Sequence, residues 1–323
     1  MFYQVNEMSE QTPTLTEAIK FFANPQNCVD AVAAMRWPDG KPTCPNCGGQ
    51  EHYWLATQWR WKCKACKKQF SVKVGTVFED SPLSLDKWLV TLWMLVNCKN
   101  GISSYEVAAT IGVTQKSAWF MLQRLRKALQ DEHNTKLGGQ VEVDESFIGG
   151  KARNMHISKR LKKMELTNRG GKSIAFGILE RGGKVRTMAV DDRERATLQG
   201  HIKKHVEPGA EILTDELHSY WGLEKEYVHQ IVNHAAEYVR GHIHTNGLEN
   251  FWSLVKRCLN GTYVSVAPFH LFRYLDEQSF RFNNRSRKDP KVTNADRFAI
   301  ALSQIAGKRL TWVEVTGQVA GSC

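Results

Sequence analysis

QVEVDESFIGG, residues 140–150, decides the fold of this chain. Its apolar and polar residues alternate with the period of a β-strand that packs one face on a core, and Asp144 falls in that strand or at its end. The same alternation turns Glu145 away from Asp144. Downstream, SIAFGILER and GKVRTMAVDD read as two further strands, joined at Gly182-Gly183 by a hairpin turn. Upstream, DEHNTKLGGQ is polar and ends in Gly-Gly, so residues 131–140 read as a linker and a second domain starts after them.

Further along, RATLQGHIKKHV reads as a helix, and EILTDELHSY as a short strand, Ile212-Leu213-Thr214, that ends at Asp215. A helix, the strand HQIVNH and a last amphipathic helix, HTNGLENFWSLVKR, follow. Three strands, then helix, strand, helix, strand and helix, predict a mixed sheet flanked by helices. Asp144, Asp215 and Glu249 are then placed to converge. Three carboxylates suit a hard ion, Mg²⁺ or Mn²⁺, which accepts phosphate oxygens as its remaining ligands. A pair of such ions about 3.5 to 4 Å apart serves in-line phosphoryl transfer. Taken singly, each acid has an ordinary reading: Asp144 as a turn cap, Asp215 as a helix start, Glu249 as a solvated helix acid. On the last helix, Leu248, Trp252, Val255 and Leu259 form the apolar face. Lys256 stands two turns beyond Glu249 on the same side and faces DNA.

The N-terminal half carries a different signal. CPNC and CKAC place Cys44, Cys47, Cys63 and Cys66 in two pairs with 15 residues between the inner cysteines. That spacing predicts a tetrahedral thiolate site for zinc, structural because no coordination position is left open. The aromatic-rich segment between the pairs fits two short strands. Before it, TLTEAIKFF and NCVDAVAAM read as short helices; after it, SSYEVAATIGVTQKSAWFMLQRLRKAL reads as helix, turn and helix. As a helix-turn-helix, its second helix enters the major groove, with Lys116 and Arg124, and also Arg126 and Lys127, at phosphates.

Composition agrees with a polyanionic partner: 44 Lys and Arg against 33 Asp and Glu give a net charge of +11. Residues 151–172 concentrate it, with eight Lys or Arg against one Glu, and read as a solvated loop that meets DNA. The longest apolar run, residues 88–96, is far short of a membrane span of roughly 18 residues, and the N-terminus has no basic start followed by an apolar stretch. The expected compartment is the cytoplasm.

With CPNC and CKAC, VDESFIGGK, LTDELHSY and the segment from HTNGLENFWSLVKR to FRFNNR in view, the chain resembles the DDE transposases of bacterial insertion sequences, in the ISXO-like branch. The resemblance covers nearly the whole chain. It implies a ribonuclease H-like mixed α/β catalytic domain with Asp144, Asp215 and Glu249 as the three acids and Lys256 as the basic residue two turns on. Thirty-four positions separate Asp215 from Glu249, as in many DDE enzymes. It also implies Mg²⁺-dependent cleavage at the element's ends, attack of the freed 3′-hydroxyl on target DNA, and a homo-oligomer that pairs the ends. The branch carries Glu or Asn as its third residue, and Glu249 and Asn250 are neighbours here. Glu249 is preferred for its register with Lys256 and its charge.

The expected architecture is a multidomain α+β chain. It comprises a helical segment (1–40), a zinc ribbon (41–78), a helix-turn-helix region (79–130), the linker (131–140), the catalytic domain (141–290) and a C-terminal tail (291–323). The rival reading is a DNA-binding regulator without catalysis, which accounts for the charge and the cysteines but leaves the three acids without a purpose.

Overall fold

The four cysteines and the strand around Asp144 fall in different units of the chain. The computed structural model describes residues 13–130, 135–150, 156–158, 161, 172–231, 245–286 and 292–317. One unit is built from residues 1–130 with 284–323, the other from residues 131–283. Most of the basic segment at 151–172, the end of the strand HQIVNH, and His242 and His244 lie outside the described residues.

In the first unit, α1 (Leu15–Phe22) starts at Thr14, whose hydroxyl accepts from the Glu17 amide. Helix α2 (Pro25–Arg36) starts at Asn24 with proline in its first turn, where the missing N–H costs nothing. Strands β1 (His52–Leu55), β2 (Arg60–Cys63) and β3 (Gln69–Phe70) form an antiparallel three-stranded sheet. Helix α3 (Leu85–Asn97) is buried at every position from Trp88 to Val96, as expected of a helix apolar on all sides. Around it pack α1, α2, α4 (Ser104–Ile111) and α5 (Gln115–Ala128). Helix α4 opens with a capping box between Ser103 and Glu106 and stops at Gly112, whose φ of 62° is open to glycine. Thr114 then caps α5.

The second unit is a five-stranded mixed sheet covered on both faces. Its elements are β4 (Gln140–Ile148), β5 (Ser173–Glu180), β6 (Val185–Val190), α6 (Arg195–His205), β7 (Glu211–Thr214), β8 (Val228–Ile231), α7 (Asn246–Arg257) and α8 (Leu271–Asn283). The strand order is β6-β5-β4-β7-β8. The pairs β4–β5 and β5–β6 are antiparallel, while β4–β7 and β7–β8 are parallel. On one face Val141, Val143, Phe176 and Ile178 pack with Leu198 and Ile202 of α6 and with Tyr220. On the other, Ala175 and Leu179 pack with Leu248, Phe251, Trp252 and Val255 of α7 and with α8.

Two expectations change here. The helix predicted between β7 and β8 is a pair of 3₁₀ turns, His218–Tyr220 and Leu223–Lys225, separated by Gly222 at φ 94°. Tyr220 and Leu223 are buried, so the segment is held by two plugs and not by a helical stripe. The linker is also partly structured: Leu137 is buried and bridges to Val206, its amide donating to the His205 carbonyl.

The segment expected as a tail returns to the first unit. Helix α9 (Asn294–Ser303) packs against α2 and α3, its Phe298 ring 5.5 Å from that of Phe22. Helix α10 (Trp312–Thr316) packs against α5, with Trp312 5.9 Å from Trp119 and 5.4 Å from Phe120. NADRFAIALS carries an apolar stripe, and Phe298, Ala301 and Leu302 bury it completely.

Candidate active site and zinc centre

The cysteines sit in two knuckles. Cys44 and Gly49 close one, with the Cys44 amide donating to the Gly49 carbonyl at 2.9 Å, and Gly48 adopts φ 73° within it. Lys67, at φ 60°, turns the other, its amide donating to the Cys63 carbonyl at 3.1 Å. The Sγ atoms of Cys44 and Cys66 are 3.7 Å apart and those of Cys47 and Cys63 3.5 Å, with all four within 4.8 Å of one another. A tetrahedron with Zn–S bonds of about 2.3 Å has edges of about 3.8 Å, so these residues fit a structural Zn²⁺. The Lys68 backbone amide draws the Cys66 thiol down to about 7, while Cys47, lowered by the Gly49 amide but raised further by hydrogen bonds among the thiols, stands at about 11.

In the other unit, Asp144 lies on β4 opposite Gly177 of β5. Asp215 directly follows β7, the parallel neighbour of β4, and its Oδ1 accepts from the Leu217 amide at 3.1 Å. Glu249 stands exposed in the first turn of α7. Burial, and then the charges of Asp215 and Glu249, push the Asp144 carboxyl up to about 6. The charges of Asp215 and Glu249 thus act on Asp144, and the three acids belong to one unit. They are spread more widely than the sulfurs: among the described residues, the cysteines are the set of three or more ligands gathered within 4.8 Å. Ligands divided between two ions about 3.5 to 4 Å apart do not need that closeness, and an all-carboxylate donor set suits Mg²⁺ or Mn²⁺.

Trp252 fixes the Asp144 side chain, its indole Nε1 donating to Oδ2 at 3.1 Å. The sequence reading counted Trp252 only as apolar face. A signal for the close approach was present in SIAFGIL, where a glycine interrupts an apolar strand. A Cβ on Gly177 would lie 2.7 Å from the Trp252 ring and 3.0 Å from Leu248. Glu145 faces the opposite side, as the alternation predicts; the Tyr220 hydroxyl donates to it, and burial raises its carboxyl to about 7.

The cations divide. Lys256 is exposed on α7, and Lys116 is exposed on α5 with its ammonium 4.7 Å from the centre of the Trp312 ring. Arg124 corrects the sequence reading: it is 4% exposed, stacks over Trp88 and Phe120, and donates to the Glu79 carbonyl. Arg126 is buried too. The apolar helix α3 covers this side of α5, a covering invisible in the local pattern of α5. Arg281 and Tyr274 on α8 are likewise interior, Arg281 paired with the fully buried Glu277. No described helix is long and apolar enough to cross a membrane.

Comparison with known proteins gives the family. A family model described as the ISXO2-like transposase domain matches residues 136–283, and one described as the transposase zinc-ribbon domain matches residues 24–69. An uncharacterized protein in transposable element ISH50 of Halobacterium salinarum is 27% identical over 270 residues, covering 80% of this chain and 90% of that relative. An uncharacterized transposase-like protein of Haemophilus influenzae is 35% identical over 106 residues, covering 32% of this chain and 85% of that relative. A zinc-ribbon match over the cysteine knuckles, a transposase match over the five-stranded sheet and relatives of the same description lead to one assignment: the chain belongs to the ISXO2-like transposase family.

Proposed function

We propose that this transposase binds the ends of an insertion sequence in duplex DNA and catalyses metal-dependent strand cleavage and strand transfer. The reaction would take place on a ribonuclease H-like domain whose acids are Asp144, Asp215 and Glu249. The observation that carries the reading is the sheet: the order β6-β5-β4-β7-β8 puts Asp144 on the middle strand and Asp215 at the end of its parallel neighbour. Helix α7 lies across the same face with Glu249 near its start.

Divalent Mg²⁺ or Mn²⁺, when bound, supplies activation of the attacking hydroxyl and stabilisation of the leaving oxygen. Asp144 and Asp215 hold it from the sheet and Trp252 orients the Asp144 carboxylate. Glu249 closes the site from α7. At about 100° per residue, Glu249 stands about 60° around the helix from Trp252 and Asn250 about 160°, which favours Glu249 as the third ligand. Lys256 meets the DNA backbone. The zinc ribbon and α4–α5, read as a helix-turn-helix with Lys116 at a phosphate, hold the terminal DNA. Paired ends call for a homo-oligomer acting in the cytoplasm at the nucleoid.

The test uses the purified chain, the DNA flanking its own gene, and Mg²⁺ or Mn²⁺, scoring nicked and joined strands. Wild type is expected to give both products. Asp144→Asn and Glu249→Gln are expected to bind DNA and give neither, while Asn250→Ala stays active. A wild type that binds without nicking would return the chain to the regulator reading.

A further inference from the structure

The first turn of α7 is closed from the sheet. The N-cap residue Thr245 does not cap the helix with its side chain. The Leu248 amide donates instead to Glu142 Oε2 at 2.9 Å, and Glu142 is 1% exposed. Its other oxygen accepts from Arg181 Nε at 2.9 Å. Arg181 is held in turn on Gln140, its backbone amide on the carbonyl at 2.9 Å and Nη1 on the side-chain oxygen at 3.3 Å. Gly247 permits the approach: a Cβ there would lie 2.7 Å from Glu142 Oε2 and 2.6 Å from Leu179 Cδ2.

The physical reason for an acid here is the helix end. The first amides of a helix lack intrahelical partners and carry partial positive charge. A buried carboxylate is costly unless paired, and Glu142 is paired with both that end and a guanidinium. Glu142 and Asp144 share a sheet face about 6.7 Å apart, while Leu248 and Trp252 are about 6 Å apart along α7. Helix and strand thus meet at two matched points, Leu248 on Glu142 and Trp252 on Asp144. Glu249 lies between those points in the sequence of α7.

We infer that Glu142, through its bond to the first turn of α7, is a positioning residue that sets where Glu249 stands relative to Asp144. The inference rests on the reading of Glu249 as a metal ligand. Partners that orient metal ligands are worth about 10- to 100-fold in metal affinity or activity.

The experiment measures Mn²⁺ binding to the full chain by the paramagnetic resonance of free Mn²⁺, and the Mn²⁺ dependence of cleavage of element-end DNA. Glu142→Gln keeps an acceptor for the Leu248 amide but loses the charge; its half-saturating Mn²⁺ is expected to rise about 10-fold in both measurements. Glu142→Leu is expected to rise about 100-fold, with DNA binding and far-ultraviolet circular dichroism unchanged in both variants. Gly247→Ala pushes a methyl against the Glu142 carboxylate and Leu179 while leaving every charged group in the chain; it is expected to raise half-saturation as Glu142→Gln does, and carries the test if Glu142→Leu does not fold. Wild-type Mn²⁺ binding in Glu142→Gln and Gly247→Ala, with only a lowered melting temperature, would overturn the positioning role while a dead Glu249→Gln leaves the catalytic reading intact. Wild-type cleavage by Glu249→Gln would remove the reading itself, and the inference with it.

Discussion

Asp144 is held against its own ionisation. Burial raises its carboxyl to about 6 from 3.8, Asp215 and Glu249 add to the rise, and hydrogen bonds from the Glu145 backbone and Trp252 oppose it. Because the folded value is the higher, the folded state binds the proton more tightly. The group's contribution to stability is therefore full below about pH 4 and is lost as pH rises through about 6. Asp144→Asn removes that penalty, and its amide oxygen still accepts from Trp252. In thermal melts without added Mg²⁺, the variant is expected to be more stable than wild type at pH 8, by on the order of 2 to 3 kcal/mol. The advantage should shrink below pH 6 and vanish near pH 4, and the variant should not cleave. An unchanged or lower melting temperature at pH 8 would show that the carboxylate is not under strain. Arg124 and Lys116 give a second contrast. Arg124→Gln empties an interior site and is expected to lower the melting temperature while leaving the salt dependence of DNA binding alone. Lys116→Gln is expected to keep the melting temperature and reduce the slope of log K against log salt by about one.

At the scale of elements, the decisive contact is α7 on β4 and β5, and Gly177 sets its closeness. Gly177→Ala brings a methyl within 2.7 Å of the Trp252 ring. The helix must rise, which is expected to cost about 1 to 3 kcal/mol in urea unfolding and to weaken the bond from Trp252 to Asp144. The half-saturating Mg²⁺ for cleavage should rise with it, and unchanged stability would mean that the helix has room. What the sequence showed of these elements was what local periodicity carries. Period-two alternation located β4, and the positions Leu248, Trp252 and Val255 located the buried face of α7. The cysteine spacing located a sulfur cluster. Properties set by a distant partner were not legible. An acid within a strand reads as solvated, and the burial of Glu142 is explained by a guanidinium 39 positions away and a helix end 106 positions away. The stretch after Asp215 has helical spacing, but Gly222 and two buried plugs divide it into 3₁₀ turns.

At the scale of the whole molecule, the chain leaves its first unit at residue 130 and re-enters it at 284. The returning segment completes that unit's core. Phe298, Ala301, Leu302 and Val315 are fully buried, and Ile305 and Leu310 are nearly so. The Val77 amide donates to the Ile305 carbonyl at 3.0 Å and the Gly307 amide to the Gly75 carbonyl at 2.9 Å, tying the return to the stretch that follows β3. Each large apolar side chain contributes about 1.5 to 3 kcal/mol on burial. Four or five of them together rival the whole stability of a typical domain, about 5 to 15 kcal/mol. A chain ending at residue 290 is therefore expected to lose the fold of the first unit, although the cysteines and α4–α5 all remain in it. The second unit draws its core from residues 131–283 and should keep it. Hydrogen exchange read by mass spectrometry separates the cases: protection should collapse over residues 15–36 and 85–128 and persist over 140–148 and 173–190. Uniform protection in the shortened chain would mean that the segment is the peripheral tail its sequence suggested, and that the first unit closes its core without it.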